Sequence, residues 1–299
     1  MKVENKAYLA IFTSVISVSF AAIFIVSIDA PALSIAFYRL LFTALIILPF
    51  VLIYKKSREE LTNLSRKNIL LMIGIGIILA LHFAFWITSL KLTSVASSVI
   101  LVTAHPLLVG PVSHFFLKEK LSILNYIGIF LSVFGVIILV YGNYGFASGI
   151  DTLEGNMLAI LGGIAAGFYI LGGRKLRKTV SIGAYAIVVY SIGTIVLFFI
   201  CLFFRTPMIN ISYRDLGIIF LMAIVAGIFG HTLYNWSLQH IRASVASVVL
   251  LGEPIGSSLL AFVLPWIQQT PSYYTIIGGV VILIGIYLTA RKIYDKKLS

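Results

Sequence analysis

A chain of 299 residues that is 60% hydrophobic and only 11% charged is too poor in charge for a soluble domain, where about 25% is usual. Its mean hydropathy of +1.08 and recurring apolar stretches of roughly 20 residues mark a polytopic helical membrane protein. So much of the chain is consumed by these stretches that no soluble catalytic domain remains, and the net charge of +12 is spread between them rather than clustered for nucleic acid.

Ten helices are expected in chain order: 7–26, 31–54, 68–89, 94–116 and 122–142, then 155–175, 181–204, 213–238, 244–267 and 272–292. Turn residues punctuate them, at Asp29-Ala30-Pro31, Asn143–Glu154 and Thr206-Pro207. The first helix is not a removable signal peptide, because its apolar stretch is too long and no small-x-small cleavage site follows. Residues 1–142 then form one five-helix unit, 143–154 a linker and 155–299 a second unit.

The two units are one pattern written twice. Ala96–Pro106 reads ASSVILVTAHP and Ser244–Pro254 reads SVASVVLLGEP, 148 residues apart. The same offset sets Phe20 on Phe168, Trp86 on Tyr234 and Phe83 on His231. An odd number of helices per unit makes the second enter the bilayer from the opposite side. Inverted repeats of this kind are a hallmark of secondary transporters, whose substrate site lies near the bilayer midplane.

Charge sets the orientation. With the N-terminus inside, 18 of the 22 Lys and Arg residues fall on cytoplasmic loops and ends, and only Lys91, Arg205 and Arg214 fall outside. That asymmetry follows the positive-inside rule and puts both termini in the cytoplasm. The remaining basic residue, Arg39, lies within helix two.

Arg39 and Glu253 are the two formal charges left inside helices, where each costs about 2.5–3.5 kcal/mol on insertion scales. From the helical rise, their depths in the bilayer differ by about 4 Å, so they can be partners. One reading is an ion pair holding the units together. The other is a substrate cavity, with Arg39 for a carboxylate and Glu253 for an amine or a coupling proton. His105 matches Glu253 at the 148-residue offset, and each precedes a proline, Pro106 or Pro254, which should break or kink its helix. His105 is therefore a second candidate proton carrier. His82 and Trp86, four apart, share a helix face, as do His231, Tyr234 and Asn235. Tyr38 and Tyr169 complete the candidate lining. Trp86 also suits an interfacial aromatic belt.

Other chemistries find no support. Cys201 is the only cysteine, so neither an intramolecular disulfide nor a Cys-based metal site is expected. Nucleotide-loop and zinc-protease patterns are missing. The Gly162-Gly163 and Gly172-Gly173 pairs suit close helix packing. No cofactor or metal is expected.

The SVASVVLLGEP run, the earlier LKLTSVASSVILVTAHP run, the LKEKLS segment before a Gly-rich span and the early AFYRLLFTALIILPF with Arg39 together resemble the EamA family of the drug/metabolite transporter superfamily. The resemblance covers the whole chain and implies a basket-like inverted-repeat fold with export or exchange of small metabolites, often amino acids. His105 differs from the small uncharged residue the family more often has before that proline.

The resulting expectation is an all-α membrane protein of ten transmembrane helices in two inverted five-helix repeats. It would sit in the inner or plasma membrane as a monomer or homodimer. Its role would be to export or exchange an amino acid or related compound by alternating access, with protons as a candidate coupling ion and facilitated diffusion as the rival to coupling. A lipid-linked or hydrophobic-compound flippase or drug exporter of the same fold is the alternative. Sugar phosphates are disfavoured by the single intramembrane arginine, and an enzyme by the lack of a nucleophile–base or metal cluster.

Overall fold

The computed structural model describes residues 3–93, 95–144, 153–263 and 272–291, and every element among them is helical. Most of the expected linker, the Pro265–Gln269 stretch between the last two helices, and the tail basic residues Lys292, Lys296 and Lys297 lie outside the described residues. Among the described residues, seven helices are long and apolar enough to cross a membrane: Asn5–Ile25, Ala32–Ile53, Arg66–Leu92, Leu153–Leu176, Ile182–Phe203, Tyr213–Ser237 and Tyr273–Ala290. Three shorter apolar stretches, Ile100–Phe116, Ile123–Leu139 and Ala243–Ser257, lie between them.

In chain order the elements are α1 (Val3–Val26), α2 (Ala32–Ile53), α3 (Lys55–Thr62), α4 (Arg66–Leu92), α5 (Val95–Thr103), α6 (Pro106–Phe116), α7 (Ile123–Tyr144), α8 (Leu153–Leu176), α9 (Ile182–Phe203) and α10 (Tyr213–Met222). A π-helical stretch, Ala223–Thr232, joins α10 to α11 (Leu233–Ser237). Then come α12 (Ala243–Val249), a 3-10 turn at Leu250–Gly252, α13 (Glu253–Val263) and α14 (Tyr273–Ala290).

Serines define several starts. The Ser65, Ser181, Ser212 and Ser272 side chains accept from the backbone N–H three residues on, at the heads of α4, α9, α10 and α14. Each such cap stabilises its helix by about 1 kcal/mol.

Two expected helices are not continuous. The one expected over 94–116 divides into α5 and α6, with His105 as the N-cap and Pro106 in the first turn. The one expected over 244–267 divides at the 3-10 turn, and Glu253-Pro254 opens α13. A proline has no N–H to give and its ring crowds the preceding turn, but it is well suited to a first turn. In the π-helical stretch side chains add hydrogen bonds to backbone carbonyls: Thr232 Oγ1 donates to Gly227 O at 3.0 Å, and Ser14 Oγ of α1 donates to Gly230 O at 2.8 Å.

Helix contacts place α4 against α8 and α9, α2 against α9, and α1 against the π-helical stretch, α11 and α13. The helices α5 and α6 pack on α8, and α7 packs on α14. The α7–α14 contact is antiparallel and built on glycine. A Cβ at Gly128 would lie 2.7 Å from Gly285 O, and one at Gly135 would lie 2.8 Å from Ile282 N. No side chain fits there, so the backbones touch, as small residues permit within membranes. At one end of this seam Asn125 Nδ2 donates to the Leu288, Thr289 and Arg291 carbonyls at 3.0–3.2 Å. Those are the orphan acceptors of the last turn of α14. The bundle's outer surface is apolar, with Phe130, Phe134, Phe199 and Leu283 exposed, as lipid contact requires.

Most loop basic residues gather at one end, with Lys91, Arg205 and Arg214 at the other. At the basic end Glu60 of α3 caps Ser181 N at 2.8 Å, and Arg242 donates to the Lys120 and Arg291 carbonyls. At the other end α2 meets the α9–α10 connection, through Ser34 Oγ to Pro207 O at 2.6 Å.

Candidate functional site

A cavity of about 80 Å³ lies in the middle of the bundle. Arg39 reaches it from α2, His82 and Trp86 from α4, His105 from the α5–α6 break, Tyr169 from α8, His231 from the π-helical stretch, Tyr234 from α11 and Glu253 from the α12–α13 break. Eight of the ten residues expected to bind substrate therefore meet here. Both interrupted helices deliver their pre-proline side chain to the same space.

Arg39 is buried, and its guanidinium Cζ sits 4.4 Å from the centroid of the Phe83 ring. It makes no salt bridge with Glu253; the ion pairs among the described residues lie elsewhere. The depth estimate that allowed them to pair is satisfied by a shared cavity rather than by contact. The reason is local: a cation over an aromatic face is itself stabilised by about 0.5–2 kcal/mol, and Phe83 offers that face one helix away. Phe83 in turn meets His231 edge to face, with centroids 5.3 Å apart.

His82 Nδ1 lies 2.9 Å from Gly162 O. A carbonyl only accepts, so Nδ1 carries the hydrogen and the neutral ring keeps a lone pair on Nε2. The His82 and Trp86 rings stack, 5.9 Å apart and inclined by 7°.

Four buried polar atoms of this lining have no hydrogen-bond partner: Arg39 Nη1, Trp86 Nε1, His105 Nδ1 and Tyr234 Oη. Leaving such an atom unpaired costs about 1–3 kcal/mol. Arg39 and Trp86 can only donate, whereas Tyr234 and His105 can do either. The cavity thus offers at least two free donors beside one carboxylate, a set matched to a small ligand carrying both acceptors and a cation.

Two expected residues stand outside the lining. Tyr38 points to the end of α2 away from the basic loops, where its hydroxyl donates to Met208 O at 2.9 Å. Asn235 lies behind the wall, donating from Nδ2 to Tyr169 Oη at 2.5 Å and to His231 O at 2.7 Å. Sharing a helix face fixed the direction of each side chain but not its reach. Eight lining residues escaped sequence reasoning: Ser14, Val18 and Ala21 of α1, Val102 and Thr103 of α5, Ala166 and Ile170 of α8, and Leu250 of the 3-10 turn. The 148-residue offset could have found Ala21, since it maps onto Tyr169, an expected lining residue.

Charges assigned to loops also prove buried, among them Glu119, Arg174, Arg177 and Asp215. Among the described residues, no cluster of three or more His, Cys, Asp or Glu side chains is placed to hold a metal.

The EamA-like transporter family matches this chain over residues 5–141 and again over 153–291. The chain belongs to the EamA-like transporter family. An uncharacterized transporter of Archaeoglobus fulgidus is 26% identical over 269 residues, covering 87% of this chain and 88% of its own length. The uncharacterized transporter YyaM of Bacillus subtilis is 28% identical over 256 residues, covering 82% of this chain and 79% of its own. A solved crystal structure superposes with a TM-score of 0.77 over 95% of this chain and 96% of that one, at 19% identity, a likeness of fold alone. The protein is thus a multi-pass membrane protein of a transporter family.

Proposed function

We propose that the chain is a ten-helix secondary transporter built from two inverted five-helix repeats, 1–142 and 155–299, joined by 143–154. Its basic end and both termini face the cytoplasm, in the cell membrane. It exports or exchanges an amino acid or closely related small zwitterion by alternating access at the central cavity. The observation that carries the reading is the set of unpartnered polar atoms gathered around Arg39 and Glu253.

The repeat is supported from three sides. The family matches twice, on the two units. The offset of 148 pairs Val18 with Ala166, Ala21 with Tyr169, Trp86 with Tyr234, Val102 with Leu250 and His105 with Glu253, and all ten line the cavity. Exchanging the units also maps the helix contacts onto themselves: α1 on the π-helical stretch matches α8 on α4, and α1 on α13 matches α8 on α6. Phe83 and His231, another matched pair, touch each other, as side chains beside a two-fold axis do.

For a zwitterion the roles divide by charge. Arg39 Nη1, with Trp86 Nε1–H and the Tyr234 hydroxyl, takes the carboxylate, and charge-assisted bonds of this kind are about twice as strong as neutral ones. Glu253 and the His82 Nε2 lone pair take the ammonium. Ligand pockets for larger organic molecules run to about 300–1,000 Å³, so this smaller cavity favours a small substrate. Glu253 and His105, the two pre-proline side chains, reach the cavity and are assigned the coupling proton.

The test is flux. Purified protein in liposomes loaded with mixed amino acids and other metabolites should release one compound class selectively, followed by mass spectrometry. Arg39→Ala should abolish that release. With proton coupling, Glu253→Gln should remove its dependence on an imposed pH gradient. Release of no water-soluble compound by folded protein, with movement of a labelled lipid instead, would overturn the reading in favour of a flippase.

A further inference from the structure

Polar groups continue from the cavity wall toward the basic end. Behind Tyr169 lie Asn235 of α11 and Tyr185 and Tyr190 of α9, all buried. Asn235 Nδ2 is bonded to Tyr169, yet Asn235 Oδ1 and Tyr185 Oη have no partner. Gly173 of α8 faces both of these atoms, and a Cβ there would lie 3.1 Å from each. The next groups outward are guanidinium donors. Arg177 donates from Nε to Asn235 O at 3.1 Å and from Nη2 to Gln239 Oε1 at 3.2 Å. Burial pulls this guanidinium down to about 10, with Tyr185 and Glu60 opposing the shift, so it remains charged at neutral pH.

At the outer limit of this column sits an ion pair. Arg174 Nε donates to Glu119 Oε1 at 2.7 Å, with side-chain exposures of 11% and 5%. Glu119 Oε2 accepts from Ala243 N at 2.8 Å, and Arg174 Nη1 donates to the Leu238 and Gln239 carbonyls at 2.7 and 2.9 Å. These bonds tie the α6–α7 connection to the end of α8 and to the α11–α12 connection, joining one unit to the other. Lys118, next to Glu119, is held at φ 55°, a left-handed conformation that disfavours a residue with a side chain.

A permanent wall would be better built otherwise. Phenylalanine in place of Tyr185 would leave no orphan hydroxyl, and an apolar pair in place of a buried ion pair is often neutral or stabilising. Both features suit a wall that is dry in one state and wet in another. Water entering the column would pair the free Asn235 and Tyr185 atoms, and would hydrate Glu119 and Arg174 once they part.

We propose that this column between α8, α9 and α11 is the passage from the cavity to the cytoplasm, and that the Glu119–Arg174 pair is the latch holding it closed. The proposal rests on the transport reading and orientation given above, and it gives that site a path of access.

Labelling measures the passage without any substrate. Cys201, the only native cysteine, is removed as Cys201→Ser, and Tyr185→Cys places a thiol halfway down the column. The protein is held in nanodiscs and reacted with a small water-soluble maleimide. Adding Glu119→Gln should raise the labelling rate about tenfold, the result of moving the closed–open balance by about 1.4 kcal/mol. Arg174→Met should act likewise. Asp215→Asn, at a buried acid of the opposite end, should leave the rate unchanged. If Glu119→Gln gives no folded protein, Glu119→Asp keeps the charge, loses the reach and should still accelerate labelling several-fold. Equal rates in folded protein with and without the latch would overturn the proposal. Unchanged labelling together with selective flux would leave the transport reading standing; accelerated labelling without flux of any metabolite would remove that reading and keep the latch.

Discussion

The two ends of the bundle close over the cavity by different chemistry. At the basic end the closure is ionic, with Glu119, Arg174 and Arg177 desolvated and bonded to one another's connections. At the opposite end it is apolar. Ala21 and Trp86 of the lining belong to a cluster with Ile25, Ile28, Ile35, Ile219, Met222 and Ala226, and the polar help is two hydroxyls, Ser34 and Tyr38, on the Pro207 and Met208 carbonyls. The charges there are loose: Arg214 stands 3.9 Å from both Asp29 and Asp215. A desolvated ion pair is geometrically demanding, since losing either partner strands the other. Apolar packing is graded in the volume removed. The basic end should therefore switch between two states, whereas the opposite end should loosen by degrees.

The largest expected effect follows from stranding a charge. Arg174→Met leaves Glu119 buried and unpaired in the closed state, a cost of up to about 3–5 kcal/mol that opening of the column relieves in part. The double variant Arg174→Met with Glu119→Leu should recover most of it. Thermal unfolding of the single and double variants in detergent checks this, and a double variant no better than the single would mean that the ion pair is incidental to closure. The matching change at the other end, Asp29→Asn, should leave the melting temperature unchanged, because that side chain is 95% exposed and surface pairs contribute little.

How much of this was open to sequence reasoning depends on what a residue's neighbours reveal. The helix breaks at His105-Pro106 and Glu253-Pro254 were legible because a proline's missing donor acts on its own helix. The cavity was legible because Arg39, Glu253 and the histidines are costly in lipid wherever they stand. Glu119 and Arg174 were not. They lie within a few residues of helix ends, where an acid or base looks the same whether it snorkels to water or folds inward. Tyr38 was misplaced for a related reason. A tyrosine suits an aqueous cavity or a backbone acceptor equally, and its acceptor, Met208, lies 170 residues away in sequence.

Graded behaviour at the apolar end can be tested by trimming Ile35, which is fully buried there. Ile35→Val should cost about 1 kcal/mol and Ile35→Ala about 2–4 kcal/mol, in step with the volume removed. At the basic end Glu119→Asp should cost nearly as much as Glu119→Gln, since shortening the side chain breaks the same fork. Chemical unfolding in mixed micelles reads both series. Equal steps at the two ends would dissolve the distinction between them.

The smallest expected effect concerns the hydroxyls, and it separates packing from polarity at the apolar end. Tyr38→Phe keeps the ring that meets Phe37 and Phe42, with centroids 4.9 and 5.7 Å away, and removes only the bond to Met208 O. The expected loss is about 1 kcal/mol, with substrate affinity unchanged because the hydroxyl does not reach the cavity. Tyr38→Ala removes the ring as well and should cost more through packing. A KM for the transported compound that rises in Tyr38→Phe would return Tyr38 to the substrate path. An unchanged KM with a slightly lower melting temperature would leave it where its hydrogen bond puts it, bracing α2 against the α9–α10 connection and holding Arg39, one residue further along α2, beneath that brace.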